Sequence, residues 1–128
     1  MAADNDDEDS MFNYAILLYK GDGIPVDKQE AAKFYKMAAD KGHKNAMFNY
    51  SKMLEKGDEI PVNKQEAAKY YKIAADNGDE DSMFNYAKML EKGDGIPVNK
   101  QEAAKYYKMA ADKKNAESMY NYAVLLDK

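Results

Sequence analysis

The sequence predicts an all-α fold: a right-handed α-solenoid of antiparallel helix pairs, about three and a half 36-residue repeats with seven helices. Three observations predict it. The block Met11-Phe12-Asn13-Tyr14 returns as Met47-Phe48-Asn49-Tyr50, Met83-Phe84-Asn85-Tyr86 and Met119-Tyr120-Asn121-Tyr122, 36 residues apart each time. A fixed period of that size marks stacked supersecondary units, each unable to bury its apolar face alone. Within a unit the apolar residues recur at helical spacing, and the scarce Gly and Pro punctuate every unit at the same places.

Residues 80–115 show one unit in full. Met83, Tyr86, Ala87 and Leu90 fall at i, i+3, i+4 and i+7, one face of a first helix, helix A. Gly93 follows its last turn, where a left-handed cap is wanted. Asp94-Gly95 turns the chain, and Pro97 keeps Ile96-Pro97-Val98 extended, with Ile96 and Val98 expected to tuck under the turn. Asn99 with Glu102 spells a capping box that starts helix B, as do Asp27 with Glu30 and Asn63 with Glu66. Ala103, Tyr106, Tyr107 and Ala110 form the apolar stripe of helix B, small residues allowing close approach and tyrosines filling the space around them. Gly42 and Gly78 end helix B in the first two repeats; Lys114 takes that place in the third. The expected helices are about 8–20, 27–41, 44–56, 63–77, 80–92, 99–113 and 116–128. The organisation expected is a single array over 1–128, with repeats at about 10–45, 46–81 and 82–117. A partial repeat follows at 118–128, and 1–9 reads as the remnant of a preceding repeat, since Met1-Ala2-Ala3-Asp4 echoes Met37-Ala38-Ala39-Asp40.

Composition narrows the function classes. A net charge of −4 argues against a phosphate-backbone binder, so no nucleic-acid partner is expected. The absence of cysteine removes disulfides, thiolate nucleophiles and cysteine-based zinc sites, and His43 alone cannot build a metal cage. No apolar run approaches the roughly 18 residues of a membrane span, and the acidic start is unlike a signal peptide. No membrane partner, cofactor or metal is expected, and the setting reads as cytoplasmic or otherwise intracellular. Asp4 to Asp9 has calcium-loop composition without the glycine and glutamate such a loop needs; these acids suit the start of helix A instead. His43 reads as an exposed turn residue, and the helix-B lysines as a solvated, charge-balanced face.

The period, the Gly-Asp-Gly-Ile-Pro-Val loop and the Tyr-Tyr-x-x-Ala-Ala run resemble the Sel-one-like repeat (SLR) family, a relative of the tetratricopeptide repeat. Repeat two carries the pattern through Ala46, Gly57, Ala67, Tyr71, Ala74, Ala75 and Gly78; repeat three adds Gly93 and Gly95. The departures are paired size swaps: Tyr14, Tyr50, Tyr86 and Tyr122 stand for a family Leu, while Leu18, Leu54, Leu90 and Leu126 stand for its Tyr. Glu59 replaces the second loop glycine and should be strained there by about 1–2 kcal/mol if the position is left-handed. The resemblance implies a scaffold or adaptor that binds proteins or peptides.

By analogy with tetratricopeptide arrays, helix A would line a concave groove. Its rows would be Phe12, Phe48, Phe84 and Tyr120; Asn13, Asn49, Asn85 and Asn121; and, one turn on, Ile16, Lys52, Lys88 and Val124. Rings offer apolar contact, and each Asn can both donate to and accept from a peptide backbone. Lys52 and Lys88 would favour an acidic side chain or a terminal carboxylate. The rows also fit a purely structural role, each Phe packing between helices A and each Asn bonding to the next repeat's Asn or to solvent.

Three functions from different classes follow. The leading one is an interaction scaffold. The second is an engineered or excised structural array with no ligand of its own, suggested by the near-identity of the repeats. The third, a hydrolase like those described for cysteine-rich relatives of this fold, lacks a Ser-His or paired-carboxylate arrangement to support it. End-to-end self-association, or fraying of the last helix, is expected where Ala123, Val124, Leu125 and Leu126 have no helix following them.

Overall fold

The computed structural model describes residues 7–113 and 116–126. The expected remnant over 1–6 and the turn at Lys114 lie outside them. The described residues form seven helices and no strand: α1 (Glu8–Lys20), α2 (Lys28–Asp40), α3 (Lys44–Lys56), α4 (Lys64–Asp76), α5 (Glu80–Lys92), α6 (Lys100–Asp112) and α7 (Ala116–Leu126). This is the repeat helical solenoid the period predicts. The predicted helix B bounds are one residue too long at each end, because the capping residues are not themselves helical. The chain divides into two compact units, Met1–Asn63 and Lys64–Lys128.

In the first unit α2 packs against both α1 and α3; in the second, α4 packs on α5, α5 on α6 and α6 on α7. Short loops make neighbours antiparallel. The buried face of α3 and of α5 is the predicted stripe: Met47, Tyr50, Ser51 and Leu54 in the one, and Met83, Tyr86, Ala87 and Leu90 in the other, are all buried. Helix B buries its alanines and tyrosines: Ala103, Tyr106, Tyr107 and Ala110 are each at most 1% exposed. Alanine at the close approach and tyrosine around it thus make the core. Paired rings recur, with Tyr86 edge-on to Tyr106 at 4.9 Å in the core and the exposed Tyr14 edge-on to Phe34 at 4.8 Å.

The same capping logic closes α1, α3 and α5. Gly21, Gly57 and Gly93 adopt φ of about 70° and donate their N–H to Leu17, Met53 and Met89 respectively. A side chain there would also collide with the loop valine, since an added Cβ on Gly93 would lie 2.6 Å from Val98 Cγ2. The loop valines differ from expectation. Val98 is 57% exposed, and it is one methyl lying over the bare face of Gly93, not the whole side chain, that packs under the turn.

Helix B starts with half of the expected capping box. Asp27 accepts from the Glu30 N–H at 3.1 Å and Asn99 from the Glu102 N–H at 3.0 Å. The N–H of each capping residue is given to the preceding helix: Asp27 to Leu18 O and Asn99 to Leu90 O, both 2.8 Å. That backbone bond occupies the donor a glutamate side chain would otherwise take. It also fixes the loop between the two helices.

Repeat two carries two departures that cost stability. Glu59 has φ 65° where Gly23 and Gly95 have 83° and 82°, the only non-glycine with positive φ among the described residues. Glu59→Gly is therefore expected to raise stability by about 1 kcal/mol, after allowing for the freer unfolded chain. A thermal melt checks this; an unchanged or lower melting temperature contradicts the strain. Ser51 stands where Ala15 and Ala87 stand, fully buried, and its Oγ is the one buried side-chain oxygen without a partner among the described residues. An unmet hydroxyl of that kind costs about 1–3 kcal/mol.

Candidate functional site: the helix A face

The first unit holds a cavity of about 310 Å³ lined by Ile16, Tyr19 and Lys20 of α1, Tyr35 of α2, Asn49, Lys52, Met53 and Lys56 of α3, and Asp58 of the following loop. Three of the predicted row positions, Ile16, Asn49 and Lys52, meet in it. Helical geometry makes this natural: Tyr19 and Lys20 lie three and four residues after Ile16, and Lys56 four after Lys52, so all share one face.

Tyr19, Lys20, Tyr35, Met53, Lys56 and Asp58 were not among the row residues singled out from sequence. Spacing could have found most of them. A further signal is that Tyr19 breaks the repeat, since Glu55 and Glu91 occupy its place in the next two repeats. Asp58 comes to the cavity through a cluster of its own. The Tyr19 hydroxyl donates to its carboxylate, and Lys28 Nζ lies 3.4 Å from Asp58 and 4.8 Å above the Tyr19 ring.

That bond has a pH signature. The hydrogen bond to Asp58, together with burial, pushes the Tyr19 phenol up to about 12 from 10. The same bond, with Lys28, outweighs burial and holds the Asp58 carboxyl below its usual range. A phenol whose folded pKa is raised contributes stability that is whole below the unfolded value and lost as pH rises through the folded one. Between pH 10 and 12, then, the melting temperature is expected to fall less steeply for Tyr19→Phe than for the parent. Equal slopes in melts across that range would contradict the assignment.

The asparagine row has an internal partner in two repeats. Burial raises the Tyr35 pKa, and a hydrogen bond from Asn49 opposes that shift. In the second unit the Tyr107 hydroxyl donates to Glu91 at 2.8 Å, and Asn121 hydrogen-bonds the same hydroxyl. Burial first and then Glu91 hold Tyr107 protonated far above the ordinary phenol range. Asn49 and Asn121 thus tie helix A to the preceding helix B, a structural partner that differs from the next-repeat Asn considered from sequence. Asn13 is exposed and Asn85 half-buried.

The aromatic row is half-buried in three of its four positions. Phe12 stacks on His43 at 4.4 Å and lies 5.9 Å from Tyr35; Phe84 lies 5.9 Å from Tyr107. Lys52 Nζ sits 5.3 Å above Phe48, and Lys88 Nζ 5.0 Å above Phe84. Tyr120 is 70% exposed and lines a separate, open cavity of about 450 Å³ with Ala123, Val124 and Leu126. In α7, Met119 and Leu126 are exposed where their counterparts Met83 and Leu90 are buried.

His43 is not the exposed turn residue expected. Its Nδ1 accepts from the Ala46 N–H at 3.1 Å, so it caps α3, and its Nε2 lies 3.1 Å from Asp9. Stacking on Phe12 gives the ring a reason to fold inward. On the helix B surface Lys36, Lys72 and Lys108 each pair with an aspartate one turn on, at 3.2–3.3 Å. Such exposed pairs contribute little to stability. Among the described residues no three His, Cys, Asp or Glu side chains converge on a metal position, and no helix is long and apolar enough to cross a membrane.

These features define a helical-repeat protein. The sequence profile of the Sel1 repeat matches residues 8–43, 44–79 and 80–115, and the chain belongs to the Sel1 repeat family, whose members are generally non-enzymatic scaffolds for protein–protein interaction. The fold is similar to that of a Sel1 repeat protein from Oxalobacter formigenes, with TM-score 0.88 and 24% identity over 95% of this chain and 92% of that one. It is similar also to a protective antigen of uropathogenic Escherichia coli with an SLR fold, with TM-score 0.87 and 28% identity over 91% of this chain but only 25% of the antigen. Helicobacter pylori cysteine rich protein B aligns with TM-score 0.71 at 17% identity, over 88% of this chain and 92% of that protein. No curated protein matches the sequence.

Proposed function

We propose that the chain is an interaction scaffold that takes a peptide, or a peptide-like segment of a protein, on its helix A face, with the three and a half repeats serving as one array. The observation that carries this reading is the cavity of the first unit. It gathers Ile16, Asn49 and Lys52 from two successive helices A, the rung the row pattern selects. Ile16, Tyr19 and Met53 supply apolar wall, and the lysines supply charge around it. Of the rows, Phe12, Asn13, Phe48, Phe84, Asn85, Lys88, Tyr120 and Asn121 would extend or buttress this face, with Asn49 and Asn121 also holding the repeats together.

A phage-displayed random peptide library tests the reading. The parent should enrich a peptide family that an Ile16→Asp/Lys52→Glu variant of unchanged helix content fails to enrich. Enrichment of the same peptides by both would place binding elsewhere, and no enrichment by the parent would favour a structural array without a ligand. The exposed apolar face of α7 favours a second reading, self-association. Sedimentation velocity over a concentration series should then show a rising coefficient, and a constant one would contradict it.

A further inference from the structure

We propose that the cavity of the first unit seats the C-terminal residue of a peptide, holding an apolar side chain and a free α-carboxylate together. The proposal rests on the reading of the helix A face as a peptide-binding surface and names the chemistry of its occupant. Charge is the first argument. Lys20, Lys52 and Lys56 line the cavity beside the Asn49 amide, against a single carboxylate, Asp58. Asp58 already accepts the Tyr19 hydroxyl and pairs with Lys28, a lysine outside the lining. A chain of net charge −4 therefore gathers positive charge at this one concavity. An anion is the complementary guest, and low-dielectric walls strengthen its attraction.

Departure from the repeat is the second argument. Glu55 and Glu91 occupy the place of Tyr19, and in the second unit Glu91 puts a carboxylate beside Tyr107. The first repeat has a neutral phenol at that place, and Ile16 where Lys52 and Lys88 stand. It has exchanged an anion for an aromatic wall and a lysine for an apolar one, while Lys20 keeps the place of Lys56 and Lys92. Those changes remove repulsion toward an anion and add an apolar surface next to the remaining lysines.

Size selects among anions. About 310 Å³ is at the small end of ligand cavities, room for one or two residues and not a long segment. A C-terminal apolar residue carries its side chain and its carboxylate on the same Cα, so it meets the Ile16, Tyr19 and Met53 wall and the lysines at once. An internal aspartate or glutamate spends its side chain on the charge and needs a second residue for the wall. The Lys52 ammonium, resting over the Phe48 ring, is already held on this face.

Fluorescein-labelled hexapeptides ending in Leu, Ile, Val, Met or Phe, each as free acid and as C-terminal amide, test the proposal by fluorescence anisotropy on the intact chain. At least one free acid should bind saturably. Amidation should weaken it about tenfold or more, as should Lys52→Gln/Lys56→Gln, whereas Lys108→Gln on the outer face of α6 should not. Circular dichroism confirms that each variant folds. The proposal is overturned if no free acid binds at millimolar concentration, or if the amides bind as tightly. Amides that bind equally but lose binding in Ile16→Asp would sink the carboxylate seat while sparing the peptide-binding surface. A library-selected internal peptide with no binding of any hexapeptide would do the same.

Discussion

Tyr107→Ala is expected to destabilise the protein by about 3–5 kcal/mol, the cost of emptying a fully buried aromatic site. Tyr107 is 0% exposed, and its ring sits among the alanines of α6 and beside Phe84. Its hydroxyl is also the junction of Glu91 on α5 and Asn121 on α7, so truncation leaves two polar groups without their partner. The two contributions can be separated. Tyr107→Phe keeps the ring and should cost about 1–2 kcal/mol, the hydrogen bonds alone. Chemical denaturation followed by circular dichroism checks both. A loss for Tyr107→Ala no larger than that for Tyr107→Phe would show that the ring is not packed as described.

Gly95→Ala should cost about 2–4 kcal/mol, the sum of a left-handed backbone and an overfilled contact. Its φ is 82°, and a methyl there would overlap Lys64 Cβ, part of the α4 backbone region and not a side-chain end that can swing away. The close approach brings Lys64 Nζ to 2.7 Å from Asp94. In the preceding loop, where Glu59 already bears a side chain, the matching Lys28–Asp58 pair is looser, at 3.4 Å. The same turn position therefore predicts a loss when glycine is replaced in one repeat and a gain when glycine is restored in another. A cost below about 0.5 kcal/mol for Gly95→Ala in denaturant melts would contradict both the steric and the backbone parts of the argument.

Much of this was legible in the sequence because it is periodic. The helix A stripe, the glycine caps and the alanine–tyrosine stripe of helix B each repeat, and repetition separates a structural requirement from an accident. What eluded the pattern involved contacts between elements. Periodicity places Asn49 on a face, but only the packing of α3 on α2 shows that it meets the Tyr35 hydroxyl. His43 looks like a turn residue because its siblings are Asp and Asn; the stack on Phe12 and the contact with Asp9 depend on where α1 stands. Asp58 reaches the candidate site through a loop whose repetition marks a turn but not which side chains its carboxylate meets. Tyr19, the residue that most changes the character of the cavity, was visible only as a break in the repeat.

The central claim is that the helix A face of the first unit is the surface that receives a peptide. Amide chemical-shift mapping with a library-selected peptide tests it most directly. The account predicts perturbations centred on Ile16, Tyr19, Asn49, Lys52 and Met53, lost in the Ile16→Asp/Lys52→Glu variant. Perturbations confined to the outer face of α2, around Lys33, Lys36 and Met37, would contradict it.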